Sequence, residues 1–127
     1  EVERDGDKII VRLASQGSFV SGSADLQPGF AGLLTRVGNS LSAAKGKVRV
    51  EGHTDNIPVA FSERFNSNWD LSAARSASVA DFFSQNSELD QGAITVAGFA
   101  DTRPMESNNT AAGRARNRRI EVIVDGS

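Results

Sequence analysis

The chain has 127 residues, of which 39% are hydrophobic and 24% charged, with a formal net charge of −2 and no cysteine. This composition is typical of one soluble globular domain and excludes a disordered chain or a coiled coil. The small negative charge lacks the basic signature of nucleic-acid-binding proteins, so we expect no nucleic-acid partner. Without cysteine, disulfides and thiolate metal sites are excluded.

The sequence contains no run of about 18 apolar residues, the length that a membrane-spanning helix needs. It begins at Glu1 and not at a methionine. We therefore expect residues 1–127 to be a single domain, either a piece of a longer protein or a processed one, with any anchor or export signal outside this sequence.

The first half of the chain alternates between strand and helix patterns. Residues 8–14 are β-branched and apolar, which predicts a strand. Residues 15–28, rich in glycine and serine, predict a long loop. From Pro28 the apolar positions follow a helical period and predict an amphipathic helix that closes near residue 46; its apolar stripe is Phe30, Leu33, Leu34, Val37 and Leu41. Residues 48–51 alternate as a second strand.

The second half continues the same alternation. After an irregular, polar excursion at residues 56–67, Ser67 followed by Asp70 has the spacing of a capping box and predicts a helix over 69–83. Residues 94–97 predict a strand, 101–113 a polar loop, 114–118 a short helix or turn, and 120–124 a last strand. The order β-α-β-α-β-(α)-β predicts an α+β domain. We expect a mixed four-stranded sheet with the helices on one face and at least one right-handed parallel crossover.

Catalytic and metal-binding motifs are weak in this sequence. His53 and Asp55 lie two positions apart on an extended segment, but the only histidine and one carboxylate fall short of the three or four ligands that a metal ion requires. We predict that His53 holds a turn by hydrogen bonds and that the domain uses no metal or cofactor. No serine lies in a Gly-x-Ser-x-Gly elbow, and no carboxylate pair is marked, so we predict a protein that is not an enzyme.

Two arginine patterns need an explanation. The cluster of Arg114, Arg116, Arg118 and Arg119 is either a phosphate-binding patch or a solvated helix end with structural salt bridges. The acidic residues elsewhere in the chain favour the second interpretation. Arg75 flanks the apolar side of the second predicted helix, so it either snorkels past the edge of the core or lies in a polar pocket beside a carboxylate.

Several separated motifs resemble the OmpA-like C-terminal domain. They agree with it in order and spacing from residue 19 to residue 124: Gly52-His-Thr-Asp55, Asn68-x-x-Leu71-Ser72-x-x-Arg75 with Val79, Gly98-Phe-Ala with Asp101, and Asn117-Arg118-Arg119-Ile120. Within that superfamily, the sequence is most similar to the MotB and PomB branch of flagellar stator subunits through Asn56-Ile-Pro-Val59, Ser67-Asn-Trp-Asp-Leu-Ser72 and Asp101-Thr-Arg-Pro104. Ser76 departs from the alanine that the family usually has after its arginine.

The resemblance implies a site that holds peptidoglycan non-covalently through diaminopimelate of the stem peptide. The free end of that residue carries an ammonium and a carboxylate on one carbon. Asp55 would accept from the ammonium, and Arg75 would bind the carboxylate bidentately. The remaining positions implied for the pocket are Thr54, Asn68, Leu71, Arg118 and the backbone at Ser21 and Gly22.

The resemblance also implies a setting for the domain. It would be the periplasmic part of an inner-membrane protein of a Gram-negative bacterium, a homodimer, and joined to a MotA- or PomA-type stator partner through a membrane segment outside this sequence. Phe61 and Phe65 in the 56–67 loop either contribute to the dimer contact or pad the loop against its own domain. The alternatives are an outer-membrane OmpA- or Pal-type wall anchor and, in another class, a wall hydrolase or its accessory.

Overall fold

The computed structural model describes residues 1–44, 46–59 and 64–125. Its elements are, in chain order, β1 (Val2–Asp5), β2 (Lys8–Ala14), α1 (Ala31–Ala44), β3 (Lys47–His53), α2 (Asn68–Asn86), β4 (Ile94–Gly98), α3 (Ala111–Asn117) and β5 (Arg119–Asp125). The strands form one sheet in the order β1-β2-β5-β3-β4. The β3–β4 pair, joined through α2, is parallel, and the other pairs are antiparallel. The predicted mixed α+β fold and its parallel crossover are therefore confirmed.

The sheet has five strands where the sequence predicts four, because β1 forms a hairpin with β2. Gly6, at φ +61°, supplies the left-handed conformation that the tight Asp5-Gly6-Asp7 turn requires. All four residues of β1 are exposed, and only Val2 among them is apolar. The strand therefore lacks the apolar alternation by which strands are recognised, and the two-residue loop Gly6-Asp7 is the hairpin signal that would have found it.

One face of the sheet carries the apolar core, and both long helices cover that face. The core residues of the strands alternate along each strand, as expected for a sheet with one buried face. The cluster consists of Leu13, Phe19, Phe30, Leu34, Leu41, Val48, Val50, Val79, Phe83, Ile120, Val122 and Val124. The opposite face carries charged side chains, among them Arg12, Glu51 and Glu121.

Two strand glycines let α2 lie directly on the sheet. A Cβ atom at Gly52 would lie 2.2 Å from the carbonyl oxygen of Ser72, and one at Gly98 would lie 2.5 Å from the amide nitrogen of Ala73. Such distances exclude any side chain at these positions unless the backbone moves. This close approach brings the first half of α2, including Arg75, next to the carboxyl end of β3.

The helix boundaries follow identifiable caps. The Ser67 side chain accepts from the backbone of Asp70 at the start of α2, which confirms the predicted cap. Pro28 opens a single 3₁₀ turn that leads into α1. The third helix begins at Ala111, three residues earlier than predicted, because Thr110 caps it by accepting from the backbone of Gly113. Among the described residues, no helix has the length and apolar character to cross a membrane.

Candidate ligand-binding site

A cavity of about 510 Å³ opens at the edge of the domain, between the loop that follows β2 and the first half of α2. Its lining consists of Ser15, Gln16, Gly17, Phe19, Ser21, Gly22, Gln27, Leu71, Arg75 and Arg118. The lining is mixed in polarity and includes two guanidinium groups. The cavity therefore offers positive charge and polar groups to whatever enters it.

Arg75 is the buried cation of this cavity, with 8% of its surface exposed. Its Nε donates to the backbone oxygen of Ser23 at 2.8 Å, and its guanidinium lies 4.9 Å from the ring centre of Phe19. Among the described residues, no carboxylate forms an ion pair with Arg75. Burial lowers the pKa of Arg75, and the charge of Arg118 lowers it further, but an arginine stays charged at neutral pH. The cavity therefore contains a positive charge that no described carboxylate neutralises.

Neither explanation of Arg75 from the sequence describes its surroundings. A snorkelling side chain would place its charge in water, whereas the Arg75 guanidinium is buried. Among the described residues Arg75 has no carboxylate partner either, since its neighbours are a backbone carbonyl and an aromatic face. Such a ring face attracts a cation without cancelling its charge.

Asp55, two residues beyond the end of β3, pairs with Arg118. One carboxylate oxygen accepts from Arg118 Nη1 at 2.6 Å, and the other accepts from the backbone amide of Ile57 at 3.0 Å. The second contact is an Asx turn, which fixes the carboxylate at the point where the chain leaves the sheet. Asp55 is 6% exposed, whereas the Arg118 side chain is 36% exposed.

Thr54 and Asn68 hold the Asp55 segment in place. The Thr54 hydroxyl donates to the carbonyl of Asp55 at 2.8 Å, and the Thr54 amide donates to the carbonyl of Ala100. From the first residue of α2, the Asn68 amide group donates to the carbonyls of Asp55 and Ile57 at 3.4 and 3.1 Å. Both side chains are engaged with backbone, so they position the carboxylate.

The loop after β2 forms the opposite wall of the cavity. Its amides of Val20 and Ser23 bond within the turn, to the carbonyls of Asp25 and Val20 respectively, which leaves the Ser23 carbonyl facing Arg75. Gly22 has φ +67°, and a Cβ there would meet no atom within 4 Å. The glycine is thus required by the turn conformation, not by a close approach within the domain.

The eight residues singled out from the sequence converge on one region of the structure. Ser21, Gly22, Leu71, Arg75 and Arg118 line the cavity, and Thr54, Asp55 and Asn68 form the group next to it. The sequence reasoning missed two participants, the Phe19 ring and the Ser23 carbonyl. Phe19 was marked in advance only by being an aromatic residue in a polar loop.

The other arginines near the C-terminus bind within the domain. Arg114 donates to the Asn108 carbonyl, Arg116 pairs with Glu1, and Arg119 pairs with Glu121 at 2.6 Å. These contacts within the domain favour a structural role for the three arginines over a phosphate-binding patch.

His53 belongs to a cluster of charged side chains on the sheet face opposite the apolar core, and its own side chain is buried there. Its Nε2 lies 3.3 Å from Glu51, its ring stacks on Phe99 with centres 5.3 Å apart, and its Nδ1 has no hydrogen-bond partner among the described residues. Burial lowers the pKa of His53, and the nearby charge of Arg119 acts in the same direction.

The same cluster resembles a metal-binding group in composition alone. Glu51, His53 and Glu121 offer ligand atoms within 4.8 Å of one another, and Asp55 is not among them. Arg49 already pairs with Glu51 at 2.7 Å, and Glu121 is paired with Arg119 and with Arg12, at 2.6 and 3.5 Å. Both carboxylates are therefore already bound to arginines, which a cation would have to displace.

A second cavity, of about 360 Å³, lies between β2 and α3. Its arginines are Arg12, Arg116 and Arg119, and each of them forms an ion pair with a glutamate. The arginines of this second cavity are therefore neutralised by glutamates, whereas Arg75 has no carboxylate partner among the described residues. The cavity at Arg75 is the better candidate for an anionic ligand.

Comparison with known proteins identifies relatives over almost the whole chain. The sequence profile of the OmpA family matches residues 18–118. Motility protein B of Bacillus subtilis is 31% identical over 125 residues, which is 98% of this chain and 48% of that protein. The peptidoglycan-binding protein ArfA of Mycobacterium tuberculosis is 36% identical over 109 residues, 85% of this chain and 32% of that protein. The chain thus spans about half the length, or less, of these relatives.

A solved structure supports the same relationship. The cell wall anchor of the T6SS from Pseudomonas aeruginosa superimposes with a TM-score of 0.93 at 41% sequence identity. The match covers 100% of this chain and 87% of that one. The two chains therefore share the same fold.

Proposed function

Because the chain belongs to the OmpA family, we propose that it binds peptidoglycan non-covalently through the cavity at Arg75. The observation that carries this proposal is the buried guanidinium of Arg75, which faces an open cavity and has no carboxylate partner among the described residues. A ligand carboxylate supplies the missing charge. The name of the mycobacterial relative, a peptidoglycan-binding protein, supports the same ligand class.

The ligand group that fits is the free end of diaminopimelate in the stem peptide. Its carboxylate would bind Arg75, for which a planar guanidinium offers paired donors. Its ammonium would approach Asp55, the buried carboxylate beside the cavity. Leu71 gives the methylene chain an apolar contact, and the Ser21–Gly22 segment brings backbone groups to the same wall.

The number of contacts predicts weak binding at a single site. Charged hydrogen bonds contribute about 1.5–3 kcal/mol each, and the loss of translational and rotational freedom offsets several of them. A polymeric wall presents many equivalent stem peptides, so a domain held near it is retained by high effective concentration. This is suited to an anchor that holds without a covalent bond, and we propose no reaction.

Two cell-wall-anchored machines fit such a domain. Similarity to motility protein B favours a flagellar stator subunit, which would be a dimer in the periplasm with a MotA- or PomA-type partner. The higher identity to the T6SS wall anchor favours a secretion apparatus. Deleting the full-length gene separates them: a stator mutant loses swimming in soft agar and retains secretion, and a secretion-anchor mutant shows the reverse.

The dimer contact stays a prediction. Phe65 is half-buried in the structure, and Phe61 lies outside the described residues. Sedimentation at increasing protein concentration distinguishes the two interpretations, since a species that stays at 13.5 kDa places the contact outside this domain.

Co-sedimentation with purified sacculi tests the proposed ligand. We expect Arg75→Ala and Asp55→Ala to abolish pelleting, because each leaves one ligand charge unmatched, at a cost of about 2–5 kcal/mol. Arg36→Ala and Asp81→Ala remove the same charges from exposed positions on α1 and α2 and should pellet like the parent.

Circular dichroism provides the folding control for these variants. Pelleting by a folded Arg75→Ala protein at the parent level would refute the proposal. Soluble muropeptides released from the sacculi during the assay would instead favour the hydrolase alternative.

A further inference from the structure

Arg118 contacts one of the two charged side chains that the proposed ligand requires and shares the cavity with the other. Its guanidinium contacts the Asp55 carboxylate at 2.6 Å and also lines the cavity together with Arg75. Arg118 is close enough to Arg75 for its positive charge to disfavour the charged form of that side chain. A ligand ammonium that approaches Asp55 therefore meets a carboxylate that is already occupied.

The backbone of Arg118 is fixed, whereas its side chain is accessible. Its amide donates to the carbonyl of Arg114 at the end of α3, and its carbonyl accepts from the amide of Ser15. The side chain is 36% exposed, compared with 9% for that of Asp55. A long side chain on a fixed backbone can exchange one partner for another without rearranging the fold.

We propose that Arg118 determines specificity, by occupying Asp55 in the empty site and admitting only a head group that brings its own carboxylate. This inference rests on the proposed function and concerns which wall chemistry the site accepts. When a head group with both charges enters, its ammonium takes Asp55, and the displaced Arg118 binds the ligand carboxylate beside Arg75. When a plain ammonium enters, as in a lysine-containing stem peptide, the displaced Arg118 has no new partner.

The charges of the site explain why this exchange discriminates. Asp55, Arg75 and Arg118 together carry one net positive charge in a partly buried region. A head group with an ammonium and a carboxylate leaves that sum unchanged. An ammonium alone raises it, at short range and with reduced screening by water, where like charges repel strongly.

Two tripeptides that differ only in the third residue test the inference: L-alanyl-γ-D-glutamyl-meso-diaminopimelate and its lysine counterpart. Calorimetric titration gives the ratio of their dissociation constants. We expect the parent protein to bind the diaminopimelate peptide about tenfold or more tightly than the lysine peptide. A ratio of this size corresponds to the free energy of one charged hydrogen bond. In Arg118→Gln, the lysine peptide should bind more tightly than to the parent and the diaminopimelate peptide less tightly. The ratio should then fall by about tenfold.

Two variants serve as controls. Arg118→Lys keeps the charge and should keep most of the preference. Arg116→Gln removes a neighbouring arginine that pairs with Glu1 and is absent from the cavity lining, so the ratio should equal that of the parent.

The outcomes separate the inference from the function on which it rests. An unchanged ratio in Arg118→Gln, or an equal fall for both peptides, would overturn the specificity role while leaving peptidoglycan binding intact. A parent protein that binds neither peptide would refute the proposed function itself.

The parent protein also allows a test that needs no variant: the ¹⁵N resonance of the Arg118 guanidinium should shift on saturation with the diaminopimelate peptide. An unshifted resonance contradicts the exchange.

Discussion

Replacing Asn117 with alanine should strongly destabilise the domain, because this side chain is fully buried and uses its whole hydrogen-bonding capacity. Its oxygen accepts from the amides of Met105 and Glu106, at 2.8 and 3.0 Å. Its nitrogen donates to the Glu106 carbonyl and the Asn108 side-chain oxygen, at 3.0 and 2.8 Å. These four bonds attach the loop before α3 to the residue that precedes Arg118.

The size of the effect follows from these contacts. Each bond contributes about 1 kcal/mol net, and part of the loop can hydrate once it is released, so we expect a loss of about 3 kcal/mol. For a chain of 127 residues, the average unfolding entropy converts this loss into a fall of about 10 °C in the thermal midpoint. Binding should also weaken, since Arg118 loses its fixed backbone.

Differential scanning calorimetry measures this fall against a matched control. Asn86→Ala removes a single exposed bond to the Phe82 carbonyl and should change the midpoint by about 2 °C or less. An Asn117→Ala protein whose midpoint stays within about 3 °C of the parent would show that the four bonds do not hold the loop.

Two further predictions concern the sheet. Gly98→Ala should lower the free energy of unfolding by several kcal/mol or prevent folding, because its Cβ would lie 2.5 Å from the amide nitrogen of Ala73. Gly29→Ala, whose Cβ would meet no atom within 4 Å, should be tolerated. Chemical denaturation compares the free energies of unfolding of the two variants. Because burial and the charge of Arg119 lower the pKa of His53, the unfolded chain takes up the proton more readily. The neutral histidine therefore favours the folded state. This contribution to the free energy of unfolding is present above the unfolded pKa of about 6.5 and is lost as pH falls through the pKa of the folded state. The midpoint of His53→Gln should therefore depend less on pH between about 7 and 5 than that of the parent, and an equal slope would contradict this.

The fold could be predicted from the sequence wherever apolar periodicity is strong. The stripe that includes Leu34 and Leu41 marks α1, and the alternation around Val48 and Val50 marks β3, because burial on one face imposes these periods. The edge strand β1 escaped prediction because it is stabilised by backbone pairing and by the ion pair of Glu3 with Arg12, which leave no apolar period.

The residues of the site could be identified by resemblance, but their pairing could not. Asp55 and Arg118 are 63 positions apart, and Arg75 and the carbonyl of Ser23 are 52 positions apart. Local spacing carries no information about such contacts, since they arise when the loop after β2 meets α2 and when the segment after β3 meets the end of α3. The resemblance paired Asp55 with Arg75 through a ligand, whereas in the structure Asp55 pairs with Arg118.

The most direct test of the central claim is an NMR titration of the ¹⁵N-labelled domain with the diaminopimelate tripeptide. The account predicts that shift changes concentrate at the amides of Ser21, Gly22 and Ile57 and at the side-chain signals of Arg75. It also predicts that these changes are lost when the carboxylate at the free end of diaminopimelate is amidated, because amidation removes the charge that would bind Arg75. Shift changes centred instead on the cavity between β2 and α3, or none at millimolar peptide, would contradict it.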